Sequence, residues 1–256
     1  MHTRLLFTAL FGLILSACGA RETLAPPRTP TAAPNATPDW RRDWLRGEPC
    51  APPCIMGITP GTLSQTETVT LLHEMLPATL VEVKRKPDVA QGAIRWLAAP
   101  ADPESVVSAL FYQKPLKLYD VPLDTVIAIR LGDMGVLPLK EVLAAYGEPS
   151  HVLALAQPTT PGRTFFSVVF VYLSHGFSLT MDLKYDGEQP ILETNMQVNR
   201  IHFFPPSMAG FDGAFGASMP VPAIGTLLVP WRGFVEFADY CRELPSPTEP
   251  ARRGCP

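Results

Sequence analysis

The chain has 256 residues, 46% hydrophobic and 18% charged, against the roughly 25% charge of an ordinary soluble domain. That length suffices for one large domain or two small ones around a packed core. The formal net charge of −3 predicts no attraction to polyanions and argues against a nucleic-acid partner.

Met1 to Arg4 carry positive charge, and Leu5 to Leu15 form an apolar run short of the ~20 residues a spanning helix needs. A charged start, a short apolar core and small residues at its end predict a secretory signal peptide over residues 1–17. Its end, Leu15-Ser16-Ala17-Cys18, resembles the bacterial lipobox. The resemblance implies that Cys18 becomes the first mature residue and carries the lipid. Membrane lipid through Cys18 is then one partner, and the extracytoplasmic face of the cell membrane is the location. Residues 18–48 read as a tether rich in Pro and Thr, ending in a short helix. In that helix Asp39 is a candidate cap, and Trp40 and Trp44 share a face. We expect the two tryptophans to dock onto the fold; the other reading places them in the membrane interface.

Of the five cysteines, Cys50, Cys54, Cys241 and Cys255 follow Cys18. An even count outside the cytoplasm predicts disulfides, and proximity favours Cys50–Cys54 and Cys241–Cys255. Their spacings are not C-x-x-C and no histidine lies near either pair in sequence, so no metal is expected there.

A first α+β unit is expected over residues 49–132. Ser64-Gln65-Thr66-Glu67 matches a capping box, Val69, Leu72, Met75 and Leu76 follow at helical spacing, and Pro77 ends the run. Strand-like stretches come next at Leu80–Arg85, Ala93–Ala98, Val106–Tyr112 and Thr125–Leu131. A second unit is expected over residues 133–205. Pro138 stands at a helix start, Leu139, Val142, Leu143 and Tyr146 make one apolar face, and Gly147 and Pro149 end it. Strands are predicted at Val152–Ala156, Phe165–Leu173, Phe177–Lys184 and Val198–Phe204, with a tight turn at Leu173–Phe177. Residues 206–256 read as loop-rich, with a short helix near Phe234, Phe237 and Cys241. The expected fold class is therefore α+β: a duplicated unit of one helix packed on an antiparallel sheet of about four strands.

Gly135, Val142 and Gly147-x-Pro149, followed by strands, resemble the SmpA/OmlA family of outer-membrane assembly lipoproteins. That likeness implies a small helix-and-sheet domain that binds protein partners. Doubling of such a unit is similar to the secreted beta-lactamase inhibitor proteins. The stretch Pro49 to Gly61, with Tyr146-Gly147-Glu148-Pro149-Ser150, resembles a group of bacterial surface lipoproteins, a likeness that carries no function with it.

Motifs for chemistry are few. Asp182, Asp186, Gly187 and Glu193 fall at calcium-loop positions, but Lys184 sits at the third ligand position and the stretch reads as a hairpin turn. Gly210 to Gly216 lacks the spacing of a phosphate-binding loop and reads as a flexible loop. His151, His175 and His202 lie on or beside strands and belong to no nucleophile motif. No catalytic residue, metal or cofactor is assigned. The expected function is non-enzymatic: binding or assembly of an unidentified protein or peptide through a sheet face or edge. The alternatives are an inhibitor of an extracellular hydrolase, suggested by the doubled architecture, and a hydrolase with a site assembled in space from the three histidines.

Overall fold

Trp40–Asp43 (α1) is the first element of the computed structural model, which describes residues 40–85, 91–99, 106–113, 123–132, 137–160, 163–183, 191–216 and 224–242. The expected signal peptide, Cys18, Cys255 and the side chain of Cys241 lie outside the described residues. Cys50 and Cys54 are joined by a disulfide. After α1 the chain makes a single tight turn that buries Trp44 to 1% exposure. Its indole stacks on Tyr146 at 5.7 Å and meets Phe177 and Phe203 edge-on, so this tryptophan docks onto the fold.

The capping box forms as its residues require. Ser64 Oγ accepts from the Glu67 amide at 3.2 Å, and the Glu67 carboxylate accepts from the Ser64 amide at 2.8 Å, opening α2 (Gln65–Met75). Pro77 follows its end. Four strands come next: β1 (Glu82–Lys84), β2 (Gln91–Leu97), β3 (Val106–Tyr112) and β4 (Val126–Leu131). A two-residue strand β5 (Leu137–Pro138) leads into α3 (Leu139–Tyr146). The Leu139 and Lys140 amides, which have no partner within the helix, donate to the carbonyls of Met196 and Thr194. Then follow β6 (His151–Thr160), β7 (Arg163–Tyr172), β8 (Phe177–Leu183), β9 (Gln197–Val198) and β10 (Arg200–Phe203). Gly176 makes the β7–β8 turn at φ +66°, where a Cβ would stand 2.4 Å from the Phe204 carbonyl oxygen. The last elements are α4 (Met208–Gly216), β11 (Val229–Pro230), α5 (Phe237–Tyr240) and β12 (Cys241–Arg242).

Nine strands pair into one sheet in the order β1-β2-β3-β4-β10-β8-β7-β6-β11, and every neighbouring pair is antiparallel. β12 lies parallel along the same side of β6 as β11, while β5 and β9 form a separate small sheet. The expected duplicated unit of one helix on a four-stranded sheet is thereby corrected. β4 and β10 hydrogen-bond edge to edge, with Leu131 opposite Ile201 and Ile129 opposite Phe203, so the strands fuse into a single large antiparallel sheet. One apolar cluster then runs unbroken across a whole face, from Trp44, Leu72 and Ile94 to Phe170 and Phe237. Two side-by-side units would each close a core of their own; here the shared strand edge leaves nothing to separate them. The inhibitor reading, which rested on the doubling, loses that support.

A second correction concerns Gly210 to Gly216. Its glycines read as loop, yet Phe211, Ala214 and Phe215 recur at helical spacing and pack on the opposite face of the sheet, where burial overrides low helix propensity. Ser207 starts this helix, its hydroxyl accepting from the Gly210 amide at 3.0 Å. Gly210 is required there, because a Cβ would lie 2.1 Å from the Pro205 carbonyl oxygen.

Candidate functional site

Strand alternation sends successive side chains to opposite faces. On β10, Ile201 and Phe203 enter the large core, so Arg200 and His202 point to the α4 face. On β8, Phe177, Leu179 and Met181 enter that core, which turns Ser178, Thr180 and Asp182 the same way. The register then lines up a polar row across five strands: Arg95 opposite Ser108, Ser108 opposite Arg130, Arg130 opposite His202, His202 opposite Ser178. A shorter row beside it pairs Arg200 with Thr180, and a third pairs Asp182 with Ser167. Part of the α4 face is thus an apolar bed for α4, and the part beside it is a polar strip carrying three arginines.

The strip is organised by hydrogen bonds. Arg200 Nη2 reaches Asp182 Oδ1 at 3.0 Å and Oδ2 at 3.1 Å, and Ser167 Oγ donates to Oδ1 at 3.0 Å. Asp182, considered in the sequence as the first ligand of a calcium loop, therefore spends its charge on a guanidinium. Arg130 Nε donates to His202 Nε2 at 2.8 Å. A guanidinium only donates, so Nε2 is the acceptor and the imidazole proton sits on Nδ1. Burial, then the charges of Arg130 and Arg200, holds His202 well below the ordinary imidazole range, so it is neutral at pH 7. The His202 ring also stands edge-on to Phe215 at 4.7 Å, at the border between the polar strip and the α4 bed. Burial, then the charges of Arg200 and Arg95, lowers Arg130 from its usual value, and the guanidinium stays charged.

Three buried polar atoms of the strip lack a hydrogen-bond partner: Ser178 Oγ, Thr180 Oγ1 and His202 Nδ1. Their residues are 0%, 5% and 6% exposed. A buried polar atom left unmatched costs about 1–3 kcal/mol, so three in one strip call for an explanation. They lie beneath cationic side chains, of which Arg95 is exposed and Arg200 partly exposed, so the strip presents positive charge to solvent.

The three histidines singled out in the sequence are not brought together. His151 shares the row of His202, but Ser178 and Val171 stand between them, three strand spacings or about 14 Å. It contacts Ser150 Oγ at 3.0 Å, and His175 lies beside Tyr146 on the opposite side of the turn. Among the described residues no group of three His, Cys, Asp or Glu side chains could hold a metal, and no helix is long and apolar enough to cross a membrane. A cleft of about 230 Å³ lies on the other face between Trp44, Ile55, Met56, Ala98 and Leu131, walled mainly by carbon. Sequence reading missed the arginine strip because Arg95, Arg130 and Arg200 are far apart in the chain. The available signal was one arginine at alternating positions in each of three apolar strands, all on the side opposite the large core. Compared with known protein families, curated proteins and solved structures, the chain finds no match.

Proposed function

We propose that the protein is a non-enzymatic binding module, held at the extracytoplasmic face of a membrane by lipid on Cys18, that engages a protein or peptide through the arginine strip of its sheet. The observation carrying this reading is the clustering of three arginines on one sheet face, Arg95 and Arg130 in one row and Arg200 in the next, beside the apolar bed of α4. A sheet is a rigid platform, so charges fixed on it recognise a partner without the entropy of ordering a loop. The lipobox likeness and the Pro/Thr tether support a domain held off a membrane surface. A Cys50–Cys54 disulfide suits an oxidising compartment.

Two measurements test this. Cys18→Ser is expected to move the protein from the membrane to the soluble fraction; unchanged membrane retention overturns the anchor. A photo-activatable residue at Leu97, two positions along β2 from Arg95, is expected to capture one stoichiometric protein in the native membrane. The same probe at Thr66, on exposed α2, is expected to capture none. Equal capture at both positions, or at neither, removes the strip as the binding face.

A further inference from the structure

The two ends of the large sheet are finished differently. At one end β6 is flanked by both β11 and β12, so its outer side is paired. At the other end stands β1, whose three residues are all exposed and which, among the described residues, pairs with β2 alone. Every second residue of such an edge turns its N–H and C=O away from its neighbour, a template for another strand. The chain enters β1 through a tight turn, the Leu80 amide donating to the Pro77 carbonyl and the Val81 amide to that of Ala78. After β1 the Arg85 side chain is drawn back to Gln65 and lies over the Phe111 ring at 5.7 Å. Glu82 and Lys84 share one face of the strand, with Lys84 Nζ 3.2 Å from Glu82 Oε2. Val83 is on the other face, 39% exposed and opposite Ile94 at the margin of the large core.

We propose that β1 is an interface between two copies of this chain, pairing antiparallel with itself about a two-fold axis at Val83. The order of the charges selects that partner. In an antiparallel pair centred on Val83, Glu82 of each copy faces Lys84 of the other, and the two valines face each other. The axis stands perpendicular to the sheet, so the core face of one copy continues into the core face of the other. Two cross-strand ion pairs and one β-branched pair form from a single short segment. Other pairings of the same edge are penalised. A parallel one, or an antiparallel one centred on residue 82 or 84, sets like charges opposite each other. Lysine on an edge strand ordinarily keeps strangers away, and here the glutamate two positions before it admits the strand's own copy. The contact is weak in dilute solution because the segment is short. Confinement on one surface, as the anchor proposed above provides, strengthens it.

The test mixes isotopically light and heavy copies of the full chain, each with a diazirine analogue of leucine in place of Val83, and photolyses them at rising concentration. A light–heavy product of two chains is expected, its cross-link mapping to residues 82–84 of the second copy. The same probe at Thr66, exposed on α2, is expected to give none. Lys84→Arg should keep the yield. Lys84→Gln should lower it about threefold and Lys84→Glu about tenfold, because both ion pairs then become like-charge contacts. The midpoint of urea unfolding should stay unchanged in all three variants, since Lys84 is exposed and stands opposite Ala93 in its own hairpin. A yield indifferent to Lys84→Glu overturns the proposal. So does a cross-link that maps outside β1 of the second copy, or no light–heavy product at a chain concentration of about 1 mM.

Discussion

On the α4 face, Leu153, Leu155, Val169 and Val171 of β6 and β7 join Phe211 and Phe215 in one apolar cluster, and the Tyr112 hydroxyl donates to the Gly213 carbonyl at 2.9 Å. On β8 and β10, strands of the same sheet, this face carries Ser178, Thr180 and His202, equally buried, with polar atoms that meet no partner. Both regions belong to one antiparallel sheet, and they differ in side-chain chemistry. The apolar bed is finished when α4 closes on it. The polar strip carries unmatched donors beside concentrated positive charge, an arrangement that stability alone does not favour. The contrast teaches where to look on this sheet: at buried polarity that the fold itself leaves unanswered.

The sharpest break of this comparison is in the apolar bed. Phe211 is fully buried, stacked on Phe215 at 4.6 Å and edge-on to Phe204 at 5.5 Å. Phe211→Ala is expected to cost about 3–5 kcal/mol in urea unfolding, the range for emptying a large aromatic site. A loss under about 1 kcal/mol would mean that α4 does not seal this half of the face. A control on the far side of the sheet comes next in size. Directly after the loop closed by Cys50 and Cys54, Ile55 and Ile58 enter the large core. For so short a loop the chain-entropy account gives about 2 kcal/mol on reduction. Because the bridge lies on the opposite face, its reduction and Phe211→Ala should lower stability additively, and a departure from additivity above about 0.5 kcal/mol would show that the two faces are coupled.

Much of the local structure was legible in the sequence, because local signals have local causes. The capping box at Ser64 and Glu67, the helix that ends at Gly147 and the strand Val106–Tyr112 follow from hydrogen bonding and periodicity within a few residues. The assembly was not legible in the same way. Whether four strands and four more close two sheets or one depends on the β4–β10 edge, a pairing of residues about seventy positions apart that alternation alone does not specify. The helix α4 was hidden by its glycines, since its stability comes from the bed under Phe211 and Phe215 rather than from propensity. Of the candidate site, His202 was visible as a histidine within a strand, but its neighbours were not. Arg130 and Ser178 join it only through register.

His202 offers a way to sharpen the polar side of the comparison. Burial, with Arg130 and Arg200 beside it, keeps its imidazole neutral in the folded state, whereas the unfolded chain protonates it near the ordinary value of about 6.5. Below that pH the unfolded state binds the extra proton and the folded state does not, so stability falls as pH falls. It is constant above, as far as this group is concerned. The groups facing the imidazole are Arg130 of β4, Arg200 of β10, Ser178 of β8 and Phe215 of α4. The slope on the acid side approaches about 1.4 kcal/mol per pH unit for one proton. His202→Gln lacks that slope, so stability of the wild type should fall more steeply than that of the variant as pH drops from 7 to 5, and parallel curves over that range would show that the imidazole is not held neutral.

The smallest expected effect on stability is the most discriminating. Thr180 is 5% exposed, sits opposite Arg200 and Val169, and has an unpartnered hydroxyl. Thr180→Val keeps the β-branched shape and deletes the unmatched oxygen. Were the hydroxyl a structural hydrogen-bonding group, its loss would cost about 1 kcal/mol; as an unsatisfied one, its loss leaves stability unchanged or raises it by up to about 1 kcal/mol. A loss near 1 kcal/mol in urea unfolding would show that the hydroxyl has a partner in the folded protein and that the strip is bound into the fold like the bed beside it.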